Sequence, residues 1–479
     1  MILNTGTAKL ASFGAQVVLG AILSADDFGL VAISTSIAAL TSLLRDGGVR
    51  QVLVQRGDEY ESLAGPVFWM GLAMNMTACV LLVAAAPALG EAYHEPELPL
   101  LLVITAVSVP LTTPSAVLSA RLAIDLRFKA IGLMQSGSAL LRYGGAILFA
   151  MAGFGAVSFV LPLLLVAIFE WVVSYALTRS RLWSRPWDMR RWKELFSRAQ
   201  WVLLGTFGVG LCNTGTYFLL GATLSSTVVG VYFFAYQLVI QVGILLANNV
   251  NQVLFPALVK LRGEPMRLRA ATERSLRMLM LVAAPLSLGL VAAVGPIETL
   301  VWQGRWAEAV VPVQVVSIVY PLNVALGVPM SLQLASGRFR EWALMLLAYG
   351  AGLVAAGAVG AWTTGTAAGV ASWTGGYIAA GAIVYATLAL RSAGLRVGAF
   401  LNAVTPSWVL SIGAAGTALL IDRFALEDSS AAARVLASCL VFGVVLVVGA
   451  RVAIPGHLCE ARDLAPRGGA RLVTRLLRL

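Results

Sequence analysis

The sequence predicts an all-α integral membrane protein: two six-helix lobes related by a parallel pseudo-two-fold axis, with two further helices at the C-terminus. Three observations carry that expectation. Only 12% of the 479 residues are charged and 59% are apolar, with a mean hydropathy of +0.85; a soluble globular chain carries about 25% charged residues. Fourteen apolar runs are each long enough to cross a bilayer, which takes roughly 20 helical residues. One stretch of forty residues near the N-terminus is written again further along the chain.

The runs lie near residues 3–23, 28–54, 63–89, 98–118, 130–152, 155–178, 200–222, 227–258, 275–295, 309–332, 342–362, 366–390, 401–423 and 432–454. In lipid every backbone polar group needs an internal partner, so each run is expected to be a helix. None shows the ten-residue alternation of a barrel strand. The first run ends in "AILSADD", which looks like a signal-peptide cleavage site. It lacks a basic leader and forms one copy of the repeat, so it reads as a helix of the body. The connections after the even-numbered runs, with the C-terminal tail, hold most of the 34 basic residues; those after the odd-numbered runs hold only Arg305, Arg423 and Arg434. By the positive-inside rule both termini face the cytoplasm. The net charge of +11 is thus topogenic and lipid-facing, and nucleic acid is excluded as a partner.

Gly14–Leu53 aligns with Gly215–Leu254 without gaps, and twelve of the forty positions are identical. They include Leu19/Leu220, Gly20/Gly221, Ser24/Ser225, Gly29/Gly230 and Gln51/Gln252. The copies are six helices apart, an even number, so both have the same orientation: a parallel repeat, of the kind that builds a cleft between two rocking lobes. The lobes are expected at 1–178 and 200–390. A cytoplasmic connector covers 179–199, the last two helices occupy 391–455 and a basic tail covers 456–479. The shared "LS…G" stretch is expected to give both lobes the same tight hairpin at the outer face.

A charged side chain in a span costs on the order of 2.5–3.5 kcal/mol, so each needs a reason. Lys9, Arg45, Asp46, Arg50, Arg142 and Glu170 fall within the first lobe's runs. At about 1.5 Å per residue, Arg142 lies about 18 Å deep, and Glu170, Arg45 and Asp46 about 12–14 Å. Arg142 is therefore within reach of Glu170, and Glu170 of Arg45, as structural pins. Alternatively Arg142 and Arg45 form a cationic cleft wall for an anionic headgroup, since the guanidinium fork suits phosphate. Glu170 and Asp46 are then the candidate acids for coupling to H+ or Na+. Gln16, Asn213, Tyr217, Gln237 and Asn249, on runs 1, 7 and 8, suit a hydrated saccharide path, or equally interhelical hydrogen bonding.

The connector "RSRLWSRPWDMRRWKELFSRAQW" alternates aromatic and basic residues, as an interfacial amphipathic helix does. Cys79, Cys212, Cys439 and Cys459 form no CxxC and are expected to be buried thiols. No metal site or cofactor is expected. The longest outer loops are about fifteen residues, too short for the domain that a membrane glycosyltransferase or polymerase would need.

"LSADDFGLVAISTSIAALTSLLRDGGVRQVLVQR", "SARLAIDLRFKAIGLMQ", "NQVLFPALVKLRGE", "GRWAEAVVPVQVVS" and "LQLASGRFRE", in this order, resemble the Wzx-type polysaccharide exporters of the multidrug/oligosaccharidyl-lipid/polysaccharide (MOP) flippase superfamily. The resemblance implies the MATE-like 6+6+2 layout. It also implies a non-enzymatic transporter in the bacterial inner membrane that flips a polyprenyl-pyrophosphate-linked oligosaccharide for polysaccharide or lipopolysaccharide biosynthesis. Arg142 and Arg45 would then line the family's cationic cavity. Membrane lipids, and a polysaccharide polymerase or glycosyltransferases, are the further partners it implies; a monomer is expected. The alternative within the superfamily is a drug/cation antiporter, which the excess of basic over acidic residues inside the spans disfavours.

Overall fold

A computed structural model describes the chain except residues 1, 41–59, 181, 183–187, 189–200, 202–203, 262, 392–393, 396, 427–428 and 465–479; the side chains of 2–11, 40, 242–253, 255–256, 461 and 463–464 also lie outside the description. The described residues contain helices and connections but no strands. Among the described residues eight helices are long and apolar enough to cross a membrane, or nine when a bent pair counts as one span. The protein is a multi-pass membrane protein.

The chain divides into two compact units. Unit 1 comprises Met1–Phe234 and Ala343–Trp362. It holds α1 (Ile2–Ile22), α2 (Ala25–Leu40), α3 (Tyr60–Ala92), α4 (Leu98–Leu111), α5 (Thr113–Ile124), α6 (Phe128–Met151) and α7 (Val157–Thr178). A π-turn at Leu211–Gly215 leads into α8 (Thr216–Gly221), and the unit takes in the start of α9 (Ser226–Lys260). The run expected as one span at 98–118 is the pair α4 and α5, bent by 40°. Pro110 lies inside α4 and Pro114 at the start of α5; a proline removes a donor and clashes with the preceding turn, which accounts for the break.

Within unit 1, α3 packs on α4, α6 on both α1 and α7, and α2 on both α4 and α8. A second cluster joins α3 and α5 through Val67, Phe68, Val117 and Leu118. Leu182, at the start of the connector, is buried in that cluster. The rest of the proposed amphipathic connector lies almost wholly outside the described residues.

Unit 2 comprises Ala235–Trp342 and Thr363–Leu479. It contains most of α9, then α10 (Pro265–Ile297), α11 (Ala307–Ala325), α12 (Gly327–Ala335), the first residues of α13 (Phe339–Thr364), α14 (Ala367–Arg391), α15 (Val397–Ala425), α16 (Ala431–Ala453) and α17 (Pro455–Leu464). Helix α10 is its hub, packed on α11, α15 and α16. Several of its buried polar side chains meet partners, as lipid demands. Ser287 donates to the Ser317 carbonyl at 2.9 Å, Trp408 Nε1 to the Ile318 carbonyl at 2.7 Å, and the Tyr385 hydroxyl to Gln333 Oε1 at 2.9 Å. At the α15–α16 loop, Arg434 grips the carboxylate of Asp422 with both Nε and Nη2, at 2.8 and 2.7 Å. Against the expectation of burial, Cys439 of α16 and Cys459 of α17 are exposed; α16 is only 11% buried over its most apolar window.

Candidate functional site

Unit 1 shows what the repeated stretch builds. In each copy a helix ends, a serine caps the next helix, and a glycine follows one turn later. Leu23 N–H bonds back to the Leu19 carbonyl, and Leu224 N–H to the Leu220 carbonyl, both at 2.8 Å. Ser24 Oγ then accepts from Asp27 N–H at 3.2 Å, while the Asp27 carboxylate accepts from Ser24 N–H and O–H at 2.9 and 2.7 Å. This is a reciprocal N-terminal cap. Ser225 Oγ accepts from Val228 N–H at 3.5 Å in the second copy.

The glycines bring the two copies together. A Cβ on Gly29 would lie 2.0 Å from the Ser226 carbonyl oxygen, and a Cβ on Gly230 would lie 1.8 Å from that of Ala25. Gly29 corresponds to Gly230 in the repeat, and Ala25 to Ser226, so the contact is reciprocal. Asp26 fastens the seam by accepting from Ser226 Oγ at 3.0 Å and Thr227 Oγ1 at 2.6 Å. Beneath it Phe28, fully buried, meets Phe159 and Phe234 edge-on at 5.2 and 5.5 Å. The sequence reading anticipated a shared hairpin; it did not anticipate that the two hairpins touch, or that Asp26 and Phe28 serve the contact.

Arg142 sits midway along α6. The exposed apolar residues of that helix, Leu133, Leu140, Leu148 and Met151, at 60–70% exposure, mark its lipid-facing stripe. At 100° per residue, Arg142 lies about half a turn from that stripe. It lies on the side that carries buried Ile131, Ser138 and Ala146, yet it is itself exposed. Gln135, seven residues earlier on the same meridian, is exposed as well. A charged and an amide side chain are thus exposed on the side of α6 opposite its exposed apolar stripe.

Glu170 of α7 is half-buried and accepts from Ser138 Oγ at 2.8 Å. Among the described residues no ion pair joins it to Arg142, which corrects the pairing expected from depth. Ser138 stands one helical turn from Arg142 and supplies the hydrogen bond instead. Gln16 of α1 is buried, its Nε2 without a hydrogen-bond partner. Asn213 is exposed on the π-turn. Tyr217 is buried in an aromatic cluster, 5.2 Å from Phe233 and 5.8 Å from Tyr232. Gln237 is half-buried in unit 2. Arg45 and Asp46 lie outside the described residues, as does the side chain of Asn249. Unit 1 therefore carries Arg142, Gln135, Ser138, Glu170, Gln16 and Asn213. The sequence reading missed Gln135 and Ser138, which a helical wheel centred on Arg142 would have found. No group of three or more potential metal ligands occurs among the described residues.

The sequence profile of a family described as "Polysaccharide biosynthesis protein" matches residues 18–311. The teichuronic acid biosynthesis protein TuaB of Bacillus subtilis (strain 168) is 26% identical over 320 residues, covering 66% of each chain. The lipopolysaccharide biosynthesis protein WzxC of Escherichia coli (strain K12) is 24% identical over 331 residues, 67% of this chain and 65% of that one. The succinoglycan biosynthesis transport protein ExoT of Rhizobium meliloti (strain 1021) is 24% identical over 315 residues, 64% of this chain and 62% of that one. The chain thus spans slightly less than two thirds of the length of these relatives. Among solved structures, the lipid II flippase MurJ in an inward closed conformation superposes with a TM-score of 0.71 at 13% identity, covering 94% of this chain and 99% of that one. An inward-facing MATE-family multidrug resistance transporter of the MOP superfamily gives 0.63 at 13% identity, with 82% and 96% covered. At such identities the structures speak for the fold.

Proposed function

The chain belongs to the polysaccharide biosynthesis protein family, and from that premise we propose that it is a transporter, not an enzyme, which flips a polyprenyl-pyrophosphate-linked oligosaccharide across the cytoplasmic membrane by alternating access. The observation that carries this reading is Arg142: a permanent cation, exposed, on the face of α6 opposite its apolar stripe. A guanidinium there costs several kcal/mol unless water or an anion meets it, and its planar fork suits a pyrophosphate. Gln135 and Asn213 add amides for sugar hydroxyls, and Gln16 adds a buried amide donor that a hydroxyl could satisfy. Relatives named for teichuronic acid, lipopolysaccharide and succinoglycan support a polymer precursor as the substrate class.

In this reading residues 1–178 and 200–390 are the two rocking lobes, and the last two helices stand beside them. Both termini face the cytoplasm, as the charge distribution requires. The Gly29–Gly230 seam then closes the outer end, because the connections that bear it follow apolar runs 1 and 7, both odd-numbered. The test is export in cells and headgroup translocation in proteoliposomes. Arg142→Ala is expected to lose both while reaching the membrane in normal amount, and Arg142→Lys to keep part. Wild-type transport by Arg142→Ala would remove Arg142 from the path. The antiporter alternative would show itself as export of organic cations that survives Arg142→Ala.

A further inference from the structure

We infer that unit 1 binds Na+ where its fourth span breaks, on Asn75 Oδ1, Thr113 Oγ1 and the Pro110 carbonyl. That span is the pair α4 and α5, interrupted at Thr112 between helices of 14 and 12 residues, so the break falls near mid-membrane. Asn75 meets it from midway along α3 and is 3% exposed. Its Nδ2 donates to Thr113 Oγ1 at 2.7 Å, which fixes the amide at the break. Its Oδ1, on the same carbon, is buried without a hydrogen-bond partner. Pro114 carries no N–H, so the Pro110 carbonyl loses the donor one turn on and keeps only a share of the Thr112 N–H. Both atoms left short are oxygen acceptors, and a buried acceptor is stabilised by a positive partner.

The tenth span, α11 and α12, breaks within one turn of the same place. Pro110–Phe128 aligns with Pro321–Phe339 without gaps, and Pro110/Pro321, Leu111/Leu322, Val117/Val328, Arg127/Arg338 and Phe128/Phe339 are identical. The two stretches also end alike. Arg127 N–H bonds to the Leu122 carbonyl at 2.9 Å and Arg338 N–H to that of Gln333 at 3.0 Å, with Leu126 and Gly337 at φ 54° and 76°. Unit 2 meets its acceptors with its own donors. The Ser317 carbonyl, which Pro321 deprives of a helical donor, accepts from Ser287 Oγ of α10 at 2.9 Å. Gln333 Oε1 accepts from the Tyr385 hydroxyl at 2.9 Å. In unit 1 the helix in α10's place is α3, and its amide brings an unmet acceptor instead. Spans interrupted at matching places in two repeats mark binding sites near mid-membrane, where freed carbonyls hold Na+. The acids of α3 and of the α4–α5 pair stand at the helix ends, at Glu61, Glu91, Glu97 and Asp125. An amide, a hydroxyl and a carbonyl are neutral ligands, so a single charge suits them; a divalent ion seeks carboxylates.

This site concerns unit 1 alone and stands whatever the transported substrate is. The experiment is equilibrium dialysis of the full-length protein in detergent against radiolabelled Na+, with choline chloride holding the ionic strength, and melting curves in the two salts. The wild type is expected to bind one Na+ per chain and to melt higher in NaCl than in choline chloride. Thr113→Val, which keeps the shape and removes the oxygen, should weaken binding at least tenfold, and so should Asn75→Leu. Asn75→Asp keeps the oxygen and should bind at least as tightly as the wild type. Ser287→Ala, at the matched place in unit 2, should leave Na+ binding unchanged, and the melting curves select the variants that fold. A wild type that binds no Na+ and melts alike in both salts would overturn the proposal and assign the Asn75 oxygen to an ordered water. Undiminished binding by folded Thr113→Val and Asn75→Leu would overturn it as well.

Discussion

Gly29 lies so close to Ser226 that a Cβ on it would stand 2.0 Å from the Ser226 carbonyl oxygen, and Gly230 has the same relation to Ala25 at 1.8 Å. Backbone oxygens cannot move aside as a flexible side chain can. Gly29→Ala and Gly230→Ala should therefore each push the hairpins apart, at a cost of about 1–3 kcal/mol or more. Both act on one seam, so the double variant should cost less than the sum of the singles. Thermal unfolding of the purified protein checks both points. Unchanged melting of Gly29→Ala would mean that the hairpins stand further apart than described. In transport terms the variants should favour a state in which positions 24 and 225 become reachable by an impermeant thiol reagent once changed to cysteine.

The caps beneath that seam differ in quality. Asp27 and Ser24 bond reciprocally, whereas Ser225 faces Val228 and makes one long hydrogen bond. Loss of an N-cap costs roughly 0.5–2 kcal/mol. Ser24→Ala should fall in the upper part of that range and Ser225→Ala in the lower part. Equal losses would show that the reciprocal carboxylate contributes nothing beyond the cap itself.

The seam also marks how far the sequence could be read. The repeat was visible because glycine and serine are rare enough in apolar runs to align by more than chance. An even helix offset predicts a parallel orientation for it. The reason for the glycines was not visible, since it lies in a contact between residues two hundred positions apart. Most of the described helices coincide with runs read from length and hydropathy, and eight of them are long and apolar enough to cross a membrane. The 98–118 run reads as one span because apolarity does not register a bend; Pro110 and Pro114 were the signal for it. At the candidate site Arg142 stood out as a charge in an apolar run. Its meridian did not, because Gln135 and Ser138 look ordinary until the exposed leucines fix which face of α6 meets lipid. The pairing of Arg142 with Glu170 was inferred from depth alone, and depth says nothing about azimuth around a helix.

The α15–α16 loop offers a test of a nearly buried pair. Asp422 is 7% exposed and accepts both arms of Arg434, which keeps about a quarter of its side chain exposed. Breaking a buried pair by removing one partner costs roughly 3–5 kcal/mol. Asp422→Asn should fall toward the lower end, since water reaches the stranded guanidinium. A double-mutant cycle with Arg434→Gln should return a coupling of the same sign. Zero coupling would reduce the bidentate contact to a surface ion pair.

The clamp of α17 on α10, in which Arg277 donates through Nε and Nη2 to Glu460, both at 2.9 Å, should loosen in acid, in two steps. His457 has its proton affinity pushed below the ordinary value of 6.5, mainly by burial and then by Arg277. The unfolded segment therefore binds the proton more readily, and the stability it gives falls as pH drops below about 6.5. Glu460 is held below 4.5, first by its hydrogen bonds from Arg277. Its contribution is present above the unfolded value and is lost as pH falls from there through the folded one. Hydrogen exchange of residues 455–464 between pH 7.5 and 4 reads both steps. His457→Gln should abolish the upper one, and protection that rises with acidity would refute the sign.

Glu170 poses the last question. It is a carboxylate within an apolar helix whose described hydrogen bond comes from a neutral hydroxyl, Ser138 Oγ. A charge in a span costs on the order of 2.5–3.5 kcal/mol, and a hydroxyl offsets only part of that. A carboxylate so placed is the candidate acid for coupling transport to a proton gradient. Glu170→Gln keeps an acceptor for Ser138 and removes the carboxylate, so stability should change by no more than about 0.5 kcal/mol. Headgroup translocation in proteoliposomes should then lose its response to an imposed pH gradient while proceeding at a basal rate. Ser138→Ala should retain the response. If Glu170→Gln instead responds to the gradient as the wild type does, the carboxylate is a packing group and the coupling ion, if one exists, is handled elsewhere.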